Sequence, residues 1–235
     1  MNKEIRKVLI TQSNYIPWKG YFDAINMADI FVAYDDMQYT KRDWRNRNQI
    51  KTANGPTWLS IPVSVKGKFE QKINETEISD KNWADNHWNA IENAYSKAPY
   101  FKEFKPIFKD LYQKASNEIL LCKVNLLFLK SISEILKVET EFINSSEFNL
   151  KGDKTEKLLN ICLDLKATHY ITGPAAKNYM DVSLFENAGI EIIWMDYSNY
   201  PTYHQLHGEF THSLSILDLI FNTGEDTSNY MKSFK

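Results

Sequence analysis

Residues 7–34 read KVLIT-QSNYIPWK-GYFDAINMA-D-IFVAY, and this stretch decides the fold. A β-branched apolar run (7–11) is followed by a bulky polar-aromatic loop. A helical pattern then opens after Gly20, and a second apolar run follows at 30–34. Three more such runs follow downstream: TEFIN (140–144), THYIT (168–172) and IEIIWM (190–195). Between them, TEKLLNICLDLK places Leu158, Leu159, Cys162 and Leu165 on one apolar face. DVSLFENAG starts on the capping residue Asp181 and stops at Gly189. Strand and helix in alternation predict a parallel sheet covered on both faces.

Two regions interrupt this rhythm. In NRNQIKTANGPTWLSIPV, Asn54-Gly55 between two strand-like runs is a hairpin signal. Residues 80–137 read as three helical pieces, the first with Trp83, His87, Trp88 and Ile91 on one side. The expected fold is therefore α/β: a three-layer, mostly parallel, Rossmann-like sheet with a β-hairpin and a helical insertion. The chain reads as a single α/β domain over 1–235, with 80–137 as a helical insertion or subdomain. A last core helix ends at Gly224, and the eleven polar residues after it are expected to fray.

Composition narrows the function. Hydrophobic residues make up 43% and the formal net charge is −2, which suits a soluble globular protein and gives no general attraction to nucleic acid. The apolar stretch 119–138 is broken by Lys123, Asn125, Lys130 and Glu134, so no membrane span is expected. The N-terminal MNKEIRKVLI lacks an apolar signal core. Cys122 and Cys162 lie on apolar helical faces without partners at metal spacing. With these features, a cytoplasmic location is expected. Thirteen Tyr and six Trp exceed what turns require and suit either a large core or an aromatic ligand cleft.

In a parallel α/β sheet, ligands bind beyond the carboxyl ends of the strands. Four of the five strand-end loops are dense in polar and aromatic groups. The first carries the amides Gln12 and Asn14, the flat faces of Tyr15 and Trp18, and Gly20 opening a helix toward an anion. Trp18 and Tyr21 would equally serve as a hydrophobic staple. The second carries Asp35 and Asp36, candidates for a base or a cation site, and then KRDWRNRN. There Arg45 and Arg47 offer guanidinium forks to phosphates or pair with local acids. In the loop after THYIT, Gly173 exposes backbone and Lys177 can reach a phosphate. The last loop holds His204, His207 and His212, whose spacing matches no standard zinc pattern, so no metal site is assigned. His212 is a candidate general base.

The segments QSNYIPWKGYFD (12–23), DDMQYTKRDWRNRNQIKT (35–52), GPAAKNYM (173–180), WMDY (194–197) and GEFTHSLSILDLIFN (208–222) together resemble the WbqC-like family of bacterial proteins. Where many members read HQPNY, this chain reads TQSNY, so Thr11 removes a histidine that would look catalytic. The resemblance implies a place among proteins of surface-polysaccharide (O-antigen) biosynthesis, acting on a nucleotide-linked amino sugar. It implies transfer of an acyl or aminoacyl group to the sugar amine, or non-catalytic binding or scaffolding in the same pathway. The donor would be an acyl thioester such as CoA, or ATP would be used; a homodimer is compatible. In this reading Arg45, Arg47 and Lys177 hold phosphates, and Tyr15 and Trp18 stack on base or sugar. Asp35, Asp36 or His212 takes the proton, and Tyr21, Asn46, Asn48 and Tyr179 complete the binding set.

Overall fold

In the computed structural model of the protein, which describes residues 5–234, the chain begins with β1 (Lys7–Thr11), α1 (Lys19–Asn26) and β2 (Ile30–Ala33). The hairpin β3 (Arg47–Thr52) and β4 (Gly55–Ser60) comes next. It is followed by α2 (Trp83–Tyr95), α3 (Phe101–Ala115) and α4 (Leu121–Ile135). Then come β5 (Glu141–Asn144), α5 (Lys154–Asp164), β6 (His169–Thr172), α6 (Val182–Asn187), β7 (Glu191–Trp194) and α7 (Ile216–Thr223). Residues 1–4 of the charged N-terminal segment and Lys235 lie outside the described residues.

Five strands form one parallel sheet in the order β5-β2-β1-β6-β7. The register sets Val8 beside Ile30 and Tyr170, and Leu9 beside Phe31 and Ile171. Because successive strand residues point to opposite faces, the sheet divides its apolar side chains between two cores. Val8, Ile10, Ile30, Val32 and Tyr170 pack against α5 and α6 through Leu158, Ile161, Cys162 and Phe185. Leu9, Phe31, Ala33 and Ile171 face the larger core, which α1, α2, α3, α4 and α7 fill. The three layers, the mostly parallel sheet and the separate hairpin are thus present as the sequence pattern requires. Helices α2–α4 bury Trp83, Trp88, Phe108 and Phe128 in the same core as the sheet residues. The hairpin turns at Gly55, whose φ of 98° lies where side-chain-bearing residues are strained.

The C-terminal segment differs from the expectation of fraying. After α7 a 3-10 turn, Gly224–Tyr230, leads to Met231, which is fully buried. The carboxylate of Asp23 on α1 is 1% exposed and accepts the backbone N–H groups of Lys232 and Ser233 and the Ser233 hydroxyl. Polar composition suggested a loose end. One buried carboxylate on a distant helix supplies the partners that composition could not show.

A buried polar chain crosses the larger core. The hydroxyls of Tyr15 and Tyr112 are 2.6 Å apart, and Tyr15 Oη lies 2.9 Å from His87 Nδ1. His87 Nε2 lies 3.2 Å from the Ser60 carbonyl. The neutral imidazole satisfies both neighbours when Nε2–H donates to Ser60 and Nδ1 accepts from Tyr15. Burial pushes the His87 pKa down from 6.5 to about 4, the Ser60 hydrogen bond opposing it.

Two predictions follow from these ties. Between pH 6.5 and about 4 the unfolded chain binds a proton at His87 that the folded protein refuses, so stability is complete above that window and falls as pH drops through it. Unfolding by urea should show a loss of about 2 kcal/mol from this group between pH 7 and pH 5. His87→Gln should flatten that slope, and an unchanged slope would contradict the assignment. Asp23→Ala, which leaves two part-buried N–H groups without their acceptor, should cost about 1–2 kcal/mol. A melting curve superimposable on the parent would show that the C-terminal tie contributes nothing.

Candidate functional site

The loop between β1 and α1 is bulky because alternate parts of it face opposite ways. Ser13, Tyr15 and Ile16 are fully buried. Tyr15 sets its ring edge-on against Trp83 and Phe128, so it anchors the loop to α2 and α4 and is not a wall of a ligand cleft. Asn48, itself buried, donates its side-chain N–H to the Ile16 carbonyl at 2.9 Å; it too is a structural clamp on this loop. Asn125 of α4 donates to the Ser13 hydroxyl and to the Arg45 carbonyl. Ile16 adopts φ 36°, a strained conformation for a β-branched residue, and these fastenings hold it there.

The residues facing outward are Gln12, Asn14 and Trp18. The Arg45 guanidinium donates to Asn14 Oδ1 through one terminal nitrogen and to Gln12 Oε1 through the other. Asp43 lies 3.7 Å from the same group, and Arg45 holds the Asp43 pKa down against the effect of burial. With their oxygens engaged by Arg45, the two part-buried amides keep their NH2 groups free, and neither has an acceptor among the described residues. Arg45 thus ties the two amides together through their oxygens.

These donors open onto two neighbouring clefts. One, of about 460 Å3, is aromatic: Asn14, Trp18, Trp44, Tyr197, Tyr200 and His212 are among its lining groups, and Asn48 reaches its edge. Trp18 stands edge-on to both Tyr197 and Tyr200. The other, of about 470 Å3, lies over the carboxyl ends of β1 and β6, at Thr11 and Thr172. Its walls include Gln12, Tyr21, Tyr34, Gly173 and Tyr179, together with Lys154 and Lys157 of α5. Tyr197 lines both clefts, and its hydroxyl lies 3.7 Å from where a Cβ at Gly173 would stand.

The expected site residues divide accordingly. Gln12, Asn14, Trp18, Tyr21, Asn48, Gly173, Tyr179 and His212 come together around the two clefts. Asp35 does not: it is 5% exposed, its Oδ1 accepts the Ser13 N–H at 2.8 Å, and burial raises its pKa while the Ser13 bonds oppose this. Asp36 accepts from the Ser145 hydroxyl and the Asn74 amide and lies 3.8 Å from Lys72, fastening the end of β2 to neighbouring chain. Neither carboxylate lines either of these two clefts, so their placement does not support the expected base role there. Arg47 stacks 4.1 Å above Trp58 and donates to the Arg42 carbonyl. Asn46 donates to the Ile61 carbonyl. Lys177 lies 5.0 Å from the Trp194 ring centroid, outside both clefts. His207 meets the Ala94 carbonyl, and among the described residues no group of three or more His, Cys, Asp or Glu is placed to hold a metal.

Gly20 has a steric role. The Trp18 indole lies across it, and a Cβ there would stand 2.4 Å from Trp18 Cζ2. Sequence reasoning missed Tyr197, Tyr200, Trp44, Lys154 and Lys157.

A model of the WbqC-like protein family matches residues 12–230. The chain is also similar to the uncharacterized protein Rv1507c of Mycobacterium tuberculosis (strain ATCC 25618 / H37Rv). The two are 46% identical over 228 residues, 97% of this chain and 98% of that one.

Gly20→Ala tests the aromatic wall. The indole is confined by Tyr197 and Tyr200, so the added methyl should destabilise the fold by about 1–3 kcal/mol as Trp18 is displaced. Unaltered stability in urea unfolding would mean that Trp18 is not held as described.

Proposed function

The chain belongs to the WbqC-like protein family, and on that premise we propose that it is a transferase of bacterial surface-polysaccharide biosynthesis, acting in the cytoplasm on a nucleotide-linked amino sugar. The observation that carries this reading is the pair of clefts meeting at Tyr197, each fitted with one free amide donor whose oxygen Arg45 engages. A ligand with two chemically different halves suits such a pair. The aromatic cleft offers Trp18 and Tyr200 as flat faces for a sugar ring.

The chemistry is acyl transfer to the sugar amine from an acyl thioester. The amine nitrogen attacks the thioester carbonyl carbon; the C–N bond forms and the C–S bond breaks. The amine proton passes to the His212 imidazole, and the departing thiolate takes a proton in turn. Of the three groups considered as base, His212 alone lines a cleft. The Asn14 NH2 is the donor available to the tetrahedral oxyanion.

A second reading, a nucleotide-sugar-binding protein without turnover, draws support from Asp35 and Asp36 being committed to structural bonds.

Mass spectrometry of reactions with amino-sugar nucleotides and a panel of acyl thioesters separates the two. Acylated sugar should form, and His212→Ala should slow its formation roughly a hundred- to ten-thousand-fold while leaving sugar-nucleotide affinity intact. Tight binding with no product from any donor would select the second reading.

A further inference from the structure

We infer that the cleft at the carboxyl ends of β1 and β6 is a nucleoside-diphosphate site, with Lys154 and Lys157 holding the diphosphate. This deepens the proposed function by assigning one half of its ligand, and it replaces the expectation that Arg45, Arg47 and Lys177 grip phosphate.

Topology fixes the place. From β1 the chain crosses to β2 on one side, and β6 pairs with β1 on the other, so the strand order reverses between β1 and β6. Connections leaving a sheet in opposite directions open a crevice at that point. Thr11 and Thr172 end the two strands there, and the 470 Å3 cleft lies over them.

Charge fixes the ligand class. Lys154 and Lys157 are the charged groups of this lining, and no acidic residue is among its walls. Neither lysine forms an ion pair among the described residues. Three residues apart on α5, they share one face of the helix, a spacing that lets two ammonium groups meet two linked phosphates. The free N–H groups of the α5 first turn are not the attraction: Asp153 Oδ1 already accepts from Thr155 and Glu156.

The remaining walls fit a nucleotide. Gly173, Ala175 and Ala176 keep the end of β6 clear of side chains. Tyr34 and Tyr179 supply aromatic faces for a base, and the free Gln12 NH2 supplies a donor to a phosphate or ribose oxygen.

Calorimetric titration of the full chain with UDP, and in parallel with GDP, CDP and dTDP, tests the site. At least one should bind, more weakly as salt is raised, and Lys154→Ala/Lys157→Ala should weaken that binding at least tenfold. Lys166→Ala, a lysine outside the cleft, should leave it unchanged. The inference is overturned if none of the four binds at millimolar concentration, or if the double variant binds as the parent does. Acyl transfer that persists with an unchanged KM in the double variant would sink this site and spare the proposed function. Lysine-dependent nucleotide binding without any transfer would do the reverse.

Discussion

The position of β1 at the centre of the parallel sheet is the constraint on which everything else depends. Flanked by β2 and β6, it is covered on both faces, so Val8, Leu9 and Ile10 are all buried. A strand so enclosed can bring chemistry to solvent only at its ends, and β1 does so at its carboxyl end. The residues leaving that end, Gln12 to Trp18, must both seal the larger core and furnish a site. Their alternation follows: Ser13, Tyr15 and Ile16 seal, while Gln12, Asn14 and Trp18 face outward.

Holding such a loop in one shape needs partners from elsewhere in the chain. The hairpin and the helical segment supply them. Asn48 of β3 and Asn125 of α4 tie its backbone and neighbours, and His87 and Tyr112 receive the Tyr15 hydroxyl. Arg45, just before β3, then aligns the two outward amides as a single unit. The helices α2–α4 thus support the site without lining it. A rigid loop over a rigid sheet is what pre-organised donors require.

Much of the fold was legible because it rests on local periodicity. All five sheet strands appear as β-branched runs, and Asn54-Gly55 marks the hairpin turn. The helices of residues 80–137 announced their buried face through Trp83, His87, Trp88 and Ile91. The site was legible only as far as its loops. Nothing within TQSNYIPWKG distinguishes Tyr15, which points inward, from Trp18, which does not; the difference lies in Trp83, Tyr112 and Phe128, far along the chain. Pairing of Arg45 with a local acid was open from sequence and Asp43 provides it, but its two amide partners stand 31 and 33 residues away and left no local trace. The loop after TEFIN that leads into Lys154 and Lys157 looked plain beside the four polar-aromatic loops, yet α5 lies over the sheet and brings both lysines to the β1–β6 crevice. The C-terminal residues looked loose for the same reason, their acceptor Asp23 being some 210 positions earlier.

The central claim is that one ligand spans both clefts past Tyr197. A crystal structure of the protein with a bound UDP-linked amino sugar tests it most directly. The account predicts the diphosphate at Lys154 and Lys157, the sugar ring against Trp18 and Tyr200, and the amine turned toward His212. A ligand confined to one cleft, or bound with its phosphates on Arg45 and Arg47, would contradict it.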